Sequence, residues 1–223
     1  SGGGAVVIGV SVDEGSLREV EAALLAAGQN PKAEMKRVLN QVAGETEKKL
    51  YQKVMGTYTV KRRAFPKTIL KLKKAAQSNL KAVILVQSGP PALRRGFKVK
   101  KNGKKKAAQA VVKKNGDMKE LVVDGRKAFV TTMHNSGEGA EDHVAVFQRI
   151  GKGRIMKQPG SHSRASGKRL EKLRKNDHRA AIKELFGPSA SKMSEVTFLE
   201  MYGDVGRMLL NEMEKAISQG GKK

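Results

Sequence analysis

The sequence has no cysteine and no tryptophan, and aromatic residues make up only 4% of its 223 positions. Without thiols it can form no disulfide, no thiolate zinc site and no cysteine nucleophile, so several enzyme classes are excluded and the redox compartment leaves no mark. Sparse aromatics, with neither an RNP pattern nor zinc-finger spacing, argue against sequence-specific reading of nucleic-acid bases. Long apolar runs are missing too. AVVIGVSV at residues 5–12 and AVILV at residues 82–86 are far too short to cross a bilayer, which points to a soluble protein with no membrane partner. The opening SGGG has neither an initiator methionine nor a charged leader region, and residues 1–4 read as a cloning remnant rather than a targeting signal.

Acidic residues are absent from one long stretch. Between Lys48 and Gly116 there are 21 basic residues and no Asp or Glu, and between Ile150 and Lys183 there are 11 basic and two acidic ones. The remaining segments nearly cancel, so these two blocks carry the net charge of +24. The densest part is FKVKKNGKKK, Phe97–Lys106, with six lysines. Lysine runs are commonly solvated faces, and lysines near hairpin tips also guard strand edges against unwanted pairing. A surface built only for solubility mixes its signs, however, so so long a one-sign stretch favours contact with phosphates or with an acidic neighbour. The candidate contact residues are Lys98, Lys100, Lys101, Lys104, Lys105, Lys106, Lys113 and Lys114 in the first block, and Arg164, Lys168, Arg169 and Lys172 in the second.

Motifs for chemistry are not found. There is no GxxxxGK[ST] phosphate loop, no GxGxxG between a strand and a helix, and no GxSxG elbow. His134, His143, His162 and His178 show no metal-ligand spacing. Glu138, Glu141 and Asp142 with His143 could serve a metal-dependent nuclease, but an acidic, Gly-rich loop of this kind is more often simply solvated. The expectation is therefore no catalytic residue, no metal and no cofactor.

The hydrophobic pattern predicts an α+β fold. A strand at 5–12 precedes a helix at 16–27 that ends at Gly28. Pro31 opens a longer helix reaching about Met55, with Met35, Val38, Leu39, Val42 and Leu50 in one stripe. A short helical turn is expected at 62–70. Strands then follow at 79–87, 95–101, 106–114, 118–123, 127–133 and 143–150, punctuated by the turn dipeptides Asn102-Gly103, Asn115-Gly116 and Asp124-Gly125. This reads as an antiparallel meander packed by the long helix and by a C-terminal amphipathic helix at 194–218. A single domain is expected over residues 5–218, with mobile loops at 135–142 and 151–179 and a flexible tail at 219–223.

Three segments carry a family likeness: KAFVTTM at Lys127–Met133, HVAVFQRI at His143–Ile150 and IKELFGPSASKM at Ile182–Met193. In this order, and after a helix leading into YTVK at Tyr58–Lys61, they resemble the bacteriophage minor tail protein Z family, the tail completion proteins of long-tailed phages. The residues that carry the likeness, Phe129, Val146, Phe147, Arg149, Ile182, Leu185, Gly187, Pro188 and Ser189, read as structural. On the residues alone, Phe129, Phe147, Val144 and Val146 would fill a sheet's inner face, and Leu185 and Phe186 would cap that core. The connection between VFQR and IKELFGPS is longer and more basic than the family pattern. The resemblance implies a non-enzymatic virion protein that completes the head-proximal end of the tail and permits head-tail joining, made in the host cytoplasm. It would form a homo-oligomeric ring, expected to be a hexamer, against the tail tube, the tail terminator or the neck. The basic blocks would then face lumenal DNA or acidic subunits. The alternative is a free-standing, sequence-independent nucleic-acid-binding protein.

Overall fold

A computed structural model describes residues 4–102, 107–133, 143–154 and 180–220. The chain is α+β and divides into two compact units, each discontinuous in sequence. Unit 1 comprises Ser1–Tyr58, Arg62–Pro90 and Pro188–Lys223; unit 2 comprises Thr59–Lys61 and Pro91–Gly187.

Unit 1 contains β1 (Ala5–Ser11), α1 (Glu14–Ala26), α2 (Pro31–Thr57), β2 (Leu70–Lys73), β3 (Lys81–Gln87) and α4 (Ala190–Gly220). Each helix begins where a side chain satisfies backbone N–H groups that the helix cannot. Asp13 accepts from the N–H of Ser16 at 2.9 Å, Asn30 from that of Ala33 at 3.2 Å, and Ser189 from that of Lys192 at 3.2 Å. Helix α1 stops before Gly28, whose φ of 71° suits glycine. The expected stripe of α2 is buried, extended by Ala43 and Val54. It packs on α4 and on an antiparallel sheet of order β1-β3-β2. Strand alternation turns Ile8, Val10, Leu70, Ala82, Ile84 and Val86 inward. Asn40 of α2 pins the link between β2 and β3, donating to the carbonyl of Ala75 and accepting from its N–H.

Several expectations are corrected in this unit. Leu70–Lys73 is a strand and not the end of a helical turn; only Lys67–Ile69 is helical, as a single 3₁₀ turn after Pro66. β3 does not open the meander but lies between β1 and β2 in a separate sheet. Helix α4 starts at Ala190 rather than Ser194 because Ser189 caps it there, and it runs through Gly203 and Gly206 without a break.

Unit 2 contains α3 (Leu93–Gly96), β4 (Lys98–Asn102), β5 (Ala107–Val111), β6 (Lys119–Glu120), β7 (Val122–Val123), β8 (Arg126–Met133), β9 (His143–Arg154) and β10 (Ala180–Glu184). Its antiparallel sheet has the order β10-β9-β8-β5-β4, with β6 on β5 and β7 on β8. Asp124-Gly125 forms the expected two-residue turn, with φ of 49° and 70°. The other two dipeptides behave differently. Asn102 is still in the ladder, opposite Ala107. At Asn115-Gly116 the turn spans Lys113–Gly116, closed by the Gly116 N–H on the Lys113 carbonyl at 3.0 Å, and neither residue has a positive φ. The expected strand at 118–123 is split at Leu121, whose N–H reaches the Ala108 carbonyl while its own carbonyl accepts from Ala128. Strand β9 continues through Gly151–Arg154, so the following connection is shorter than expected; β10 was not anticipated as a strand. The rest of that connection, the acidic loop and residues 221–223 lie outside the described residues.

Candidate anion-binding face of unit 2

The charge of the molecule divides unevenly between the units. Unit 2 has 26 basic and nine acidic residues, a net +17, whereas unit 1 has 19 and 12, a net +7. Among the described acids of unit 2, three are engaged locally: Glu120 with Lys127 at 2.8 Å, Asp117 with Lys119 at 3.5 Å, and Glu184 with His143 at 3.1 Å. They do not reach the lysines of β4.

β4 places its residues by alternation. Phe97, just before the strand, is fully buried, and Val99 is partly buried. Lys98 and Lys100 point away on the opposite side and are exposed, as the sequence led us to expect; Lys101 is exposed although it shares Val99's face. Lys113 and Lys114 are exposed in the turn after β5. None of these five lysines is ion-paired among the described residues. Lys104, Lys105, Lys106, Arg164, Lys168, Arg169 and Lys172 lie outside them.

Beside β4 is a cleft of about 370 Å³. It lies along β8 beyond Phe129, the residue opposite Ala107 of β5, where β8 stays paired with β9 to Met133. Val99, Val130 and Val144 give it an apolar lining, Thr131 and Thr132 supply hydroxyls, and Arg94, Lys100 and Lys101 supply positive charge. No described acid lines it. Such a set suits an anion bearing several acceptor oxygens, held by charge and by hydroxyl donors rather than read by shape. Sequence reasoning named Lys100 and Lys101 but missed Arg94, Thr131 and Thr132. Nothing local in the sequence could have marked them, because they come from α3 and β8 and meet β4 only in the fold.

The residues that carried the family likeness all have structural work. Phe129 and Phe147 are direct cross-strand neighbours, and the Arg149 guanidinium lies over the Phe129 ring at 5.9 Å. Val146 is buried on the other face of β9, so the expected single inner face of Phe129, Phe147, Val144 and Val146 is two faces. Val144 is 38% exposed. Between them the buried amide of Gln148 donates to the carbonyls of Val123 and Arg126, clasping the Asp124-Gly125 hairpin. Ile182 pairs with Arg149 across β10 and β9, and the Leu185 N–H reaches the Val146 carbonyl at 2.8 Å. Phe186 does not cap the core; it is 56% exposed. Phe97 fills that place instead, beneath Gly187, where an added Cβ would lie 2.1 Å from the Phe97 ring. Pro188 leads into Ser189, which caps α4.

His134, His162, His178 and the acidic trio Glu138, Glu141 and Asp142 fall outside the described residues, among which no group of three or more His, Asp or Glu side chains is placed to hold a metal ion. No described helix is long and apolar enough to cross a membrane. No protein-family model, curated protein or solved structure matches this chain.

Proposed function

We propose that this chain is a structural subunit that completes the head-proximal end of a long phage tail and permits head-tail joining, with the cationic face of unit 2 directed at lumenal DNA or at acidic neighbouring subunits. The observation that carries the reading is spatial. The three segments of the family likeness are consecutive neighbours, since β8 pairs with β9, β9 pairs with β10, and the chain from β10 runs through Gly187 to the cap of α4. The strands of a likeness spread over three sequence segments thus lie side by side in the sheet of unit 2. On this reading the protein is no enzyme, works in the virion as a homo-oligomeric ring, a hexamer, and meets the tail tube, terminator or neck.

Disruption of its gene in the encoding phage or prophage tests the proposal. The expected result is filled heads and separate tails that fail to join, restored by the gene supplied in trans. Normally joined, infectious particles from the disrupted strain would overturn it.

The unpaired lysines and the cleft favour one alternative, a free-standing protein that binds nucleic acid through its backbone. That reading requires tight duplex binding by the isolated protein, lost by about 10³ to 10⁵ between 50 and 200 mM salt if six to ten phosphates are contacted. Gene disruption would then leave virion assembly intact.

A further inference from the structure

The three-stranded sheet of unit 1 has two edges that differ in kind. β2 is four residues long and carries Lys71 and Lys73, both exposed. Short length and lysines are the ordinary means by which an edge strand avoids pairing with another chain. β1 has neither. It is seven residues, AVVIGVS, without a charge or a proline, and it pairs with β3 in an unbroken register from Ala5 to Ser11. Among the described residues its backbone bonds to no other element. Val7 is 63% exposed, and a cleft of about 340 Å³ runs along Ala5–Gly9, walled on the far side by Glu195, Phe198 and Leu199 of α4.

We propose that β1 is an open sheet edge that pairs antiparallel with β1 of a second copy of this chain. A row of free N–H and C=O groups beside a partly apolar cleft takes an extended strand, the backbone supplying affinity and alternate side chains the fit. Charge selects which strand. Two copies at +24 repel each other wherever lysines face lysines, but Gly4–Val12 contains no charged residue, so the two strands themselves bring no opposing cations, and the Lys81 side chain of β3 lies beside them against Gly9. Against nucleic acid β1 offers no cation of its own, and against an acidic protein no partner for its carboxylates. Two identical antiparallel strands are related by a two-fold axis, which satisfies both edges without an open fibre. The inference stands on unit 1 alone and does not depend on the tail reading.

Sedimentation of the purified protein over a wide concentration range, in salt high enough to screen the net charge, tests it. We expect a species with the mass of two chains in place of 24.2 kDa. Hydrogen exchange of the β1 amides should slow as concentration rises. The variant A5K/V7K, changed at two exposed positions, should have an unchanged circular dichroism spectrum, half the sedimenting mass and fast-exchanging β1 amides. A single-chain mass at every concentration would overturn the proposal. So would a dimer that survives A5K/V7K, or one abolished instead by Leu210→Lys on the exposed side of α4. The hydrogen-exchange result on the unaltered protein decides the matter even if the double variant fails to fold.

Discussion

Outside Arg62–Pro90 unit 1 balances its charges, and unit 2 leaves many of its own unbalanced. In unit 1, Glu34 pairs with Arg37, Glu195 with Lys192 and Glu212 with Lys215, each within one turn of helix, and Lys53 reaches Glu200 between α2 and α4. In unit 2 the lysines of β4 and of the following turn stand without a described partner, on short strands. Exposed ion pairs of the first kind are worth only about 0–1 kcal/mol each, so pairing in unit 1 does little for stability. What it does is keep that unit close to neutral outside Arg62–Pro90, where its whole net +7 resides. The contrast teaches that the positive charge is placed, and that unit 2 is where an anion should be sought.

The largest effect should come from the core beneath unit 2's charged face. Phe97→Ala should cost about 3–5 kcal/mol in urea unfolding, as truncation of a fully buried aromatic does. Gly187→Ala should cost about 1–3 kcal/mol by overpacking, and much less in a Phe97→Leu background, because the penalty is one contact. Equal penalties in both backgrounds would show that Gly187 is needed for its backbone and not for its closeness to the ring.

Neutralising Lys98, Lys100 and Lys101 to Gln should lower affinity for duplex DNA and flatten the log-log salt slope by about 2.7, three contacts at about 0.9 each. The same change at Lys32, Lys36 and Lys215 of unit 1 should leave the slope alone. If both triple variants lose affinity equally, the comparison between the units fails and only net charge matters.

Smaller effects sharpen the description of unit 1. Ser189→Ala should destabilise it by about 1 kcal/mol, the usual worth of an N-cap, with Ser189→Asp restoring most of the loss. At alkaline pH, Tyr58 should matter. Burial, helped by the charge of Glu200, pushes its phenol above the usual value near 10. The folded protein therefore holds this proton more tightly than the unfolded chain does. The resulting stability is complete below about pH 10 and is lost as pH rises through the folded value. Tyr58→Phe should make the stability curve flatter above pH 10, as followed by urea unfolding at stepped pH.

Much of the fold could be read from the sequence, and the failures share a cause. Helices α1 and α2 announce themselves through their apolar stripes, through Gly28 at the end of the first and through Pro31 at the start of the second, all local signals. The Asp124-Gly125 hairpin is local as well. LKLK at Leu70–Lys73 is too short to show a period, and only its pairing with β3 makes it a strand. For the same reason the split at Leu121 and the strand at Ala180–Glu184 could not be seen, since both are decided by what lies alongside. The candidate site was half legible: lysine density pointed to β4, but Arg94, Thr131 and Thr132 come from α3 and β8 and join it only in the fold.

The two ends of the Pro91–Gly187 segment are fastened to each other. The Gly187 N–H meets the Pro91 carbonyl at 2.9 Å, Ala92 bridges Phe186, and the Leu93 N–H meets the Leu185 carbonyl at 2.9 Å. A connection between strands inside a segment so closed can change in length at little thermodynamic cost, because each doubling of a flexible loop adds only about 0.6 kcal/mol of closure entropy. A lineage could therefore lengthen the basic connection between β9 and β10, or swap it for another, while the junction at Pro91 and Gly187 stays where it is. That junction leaves the connection between β9 and β10 as a place where a lineage, or an experimenter inserting a reporter, can add chain at small cost.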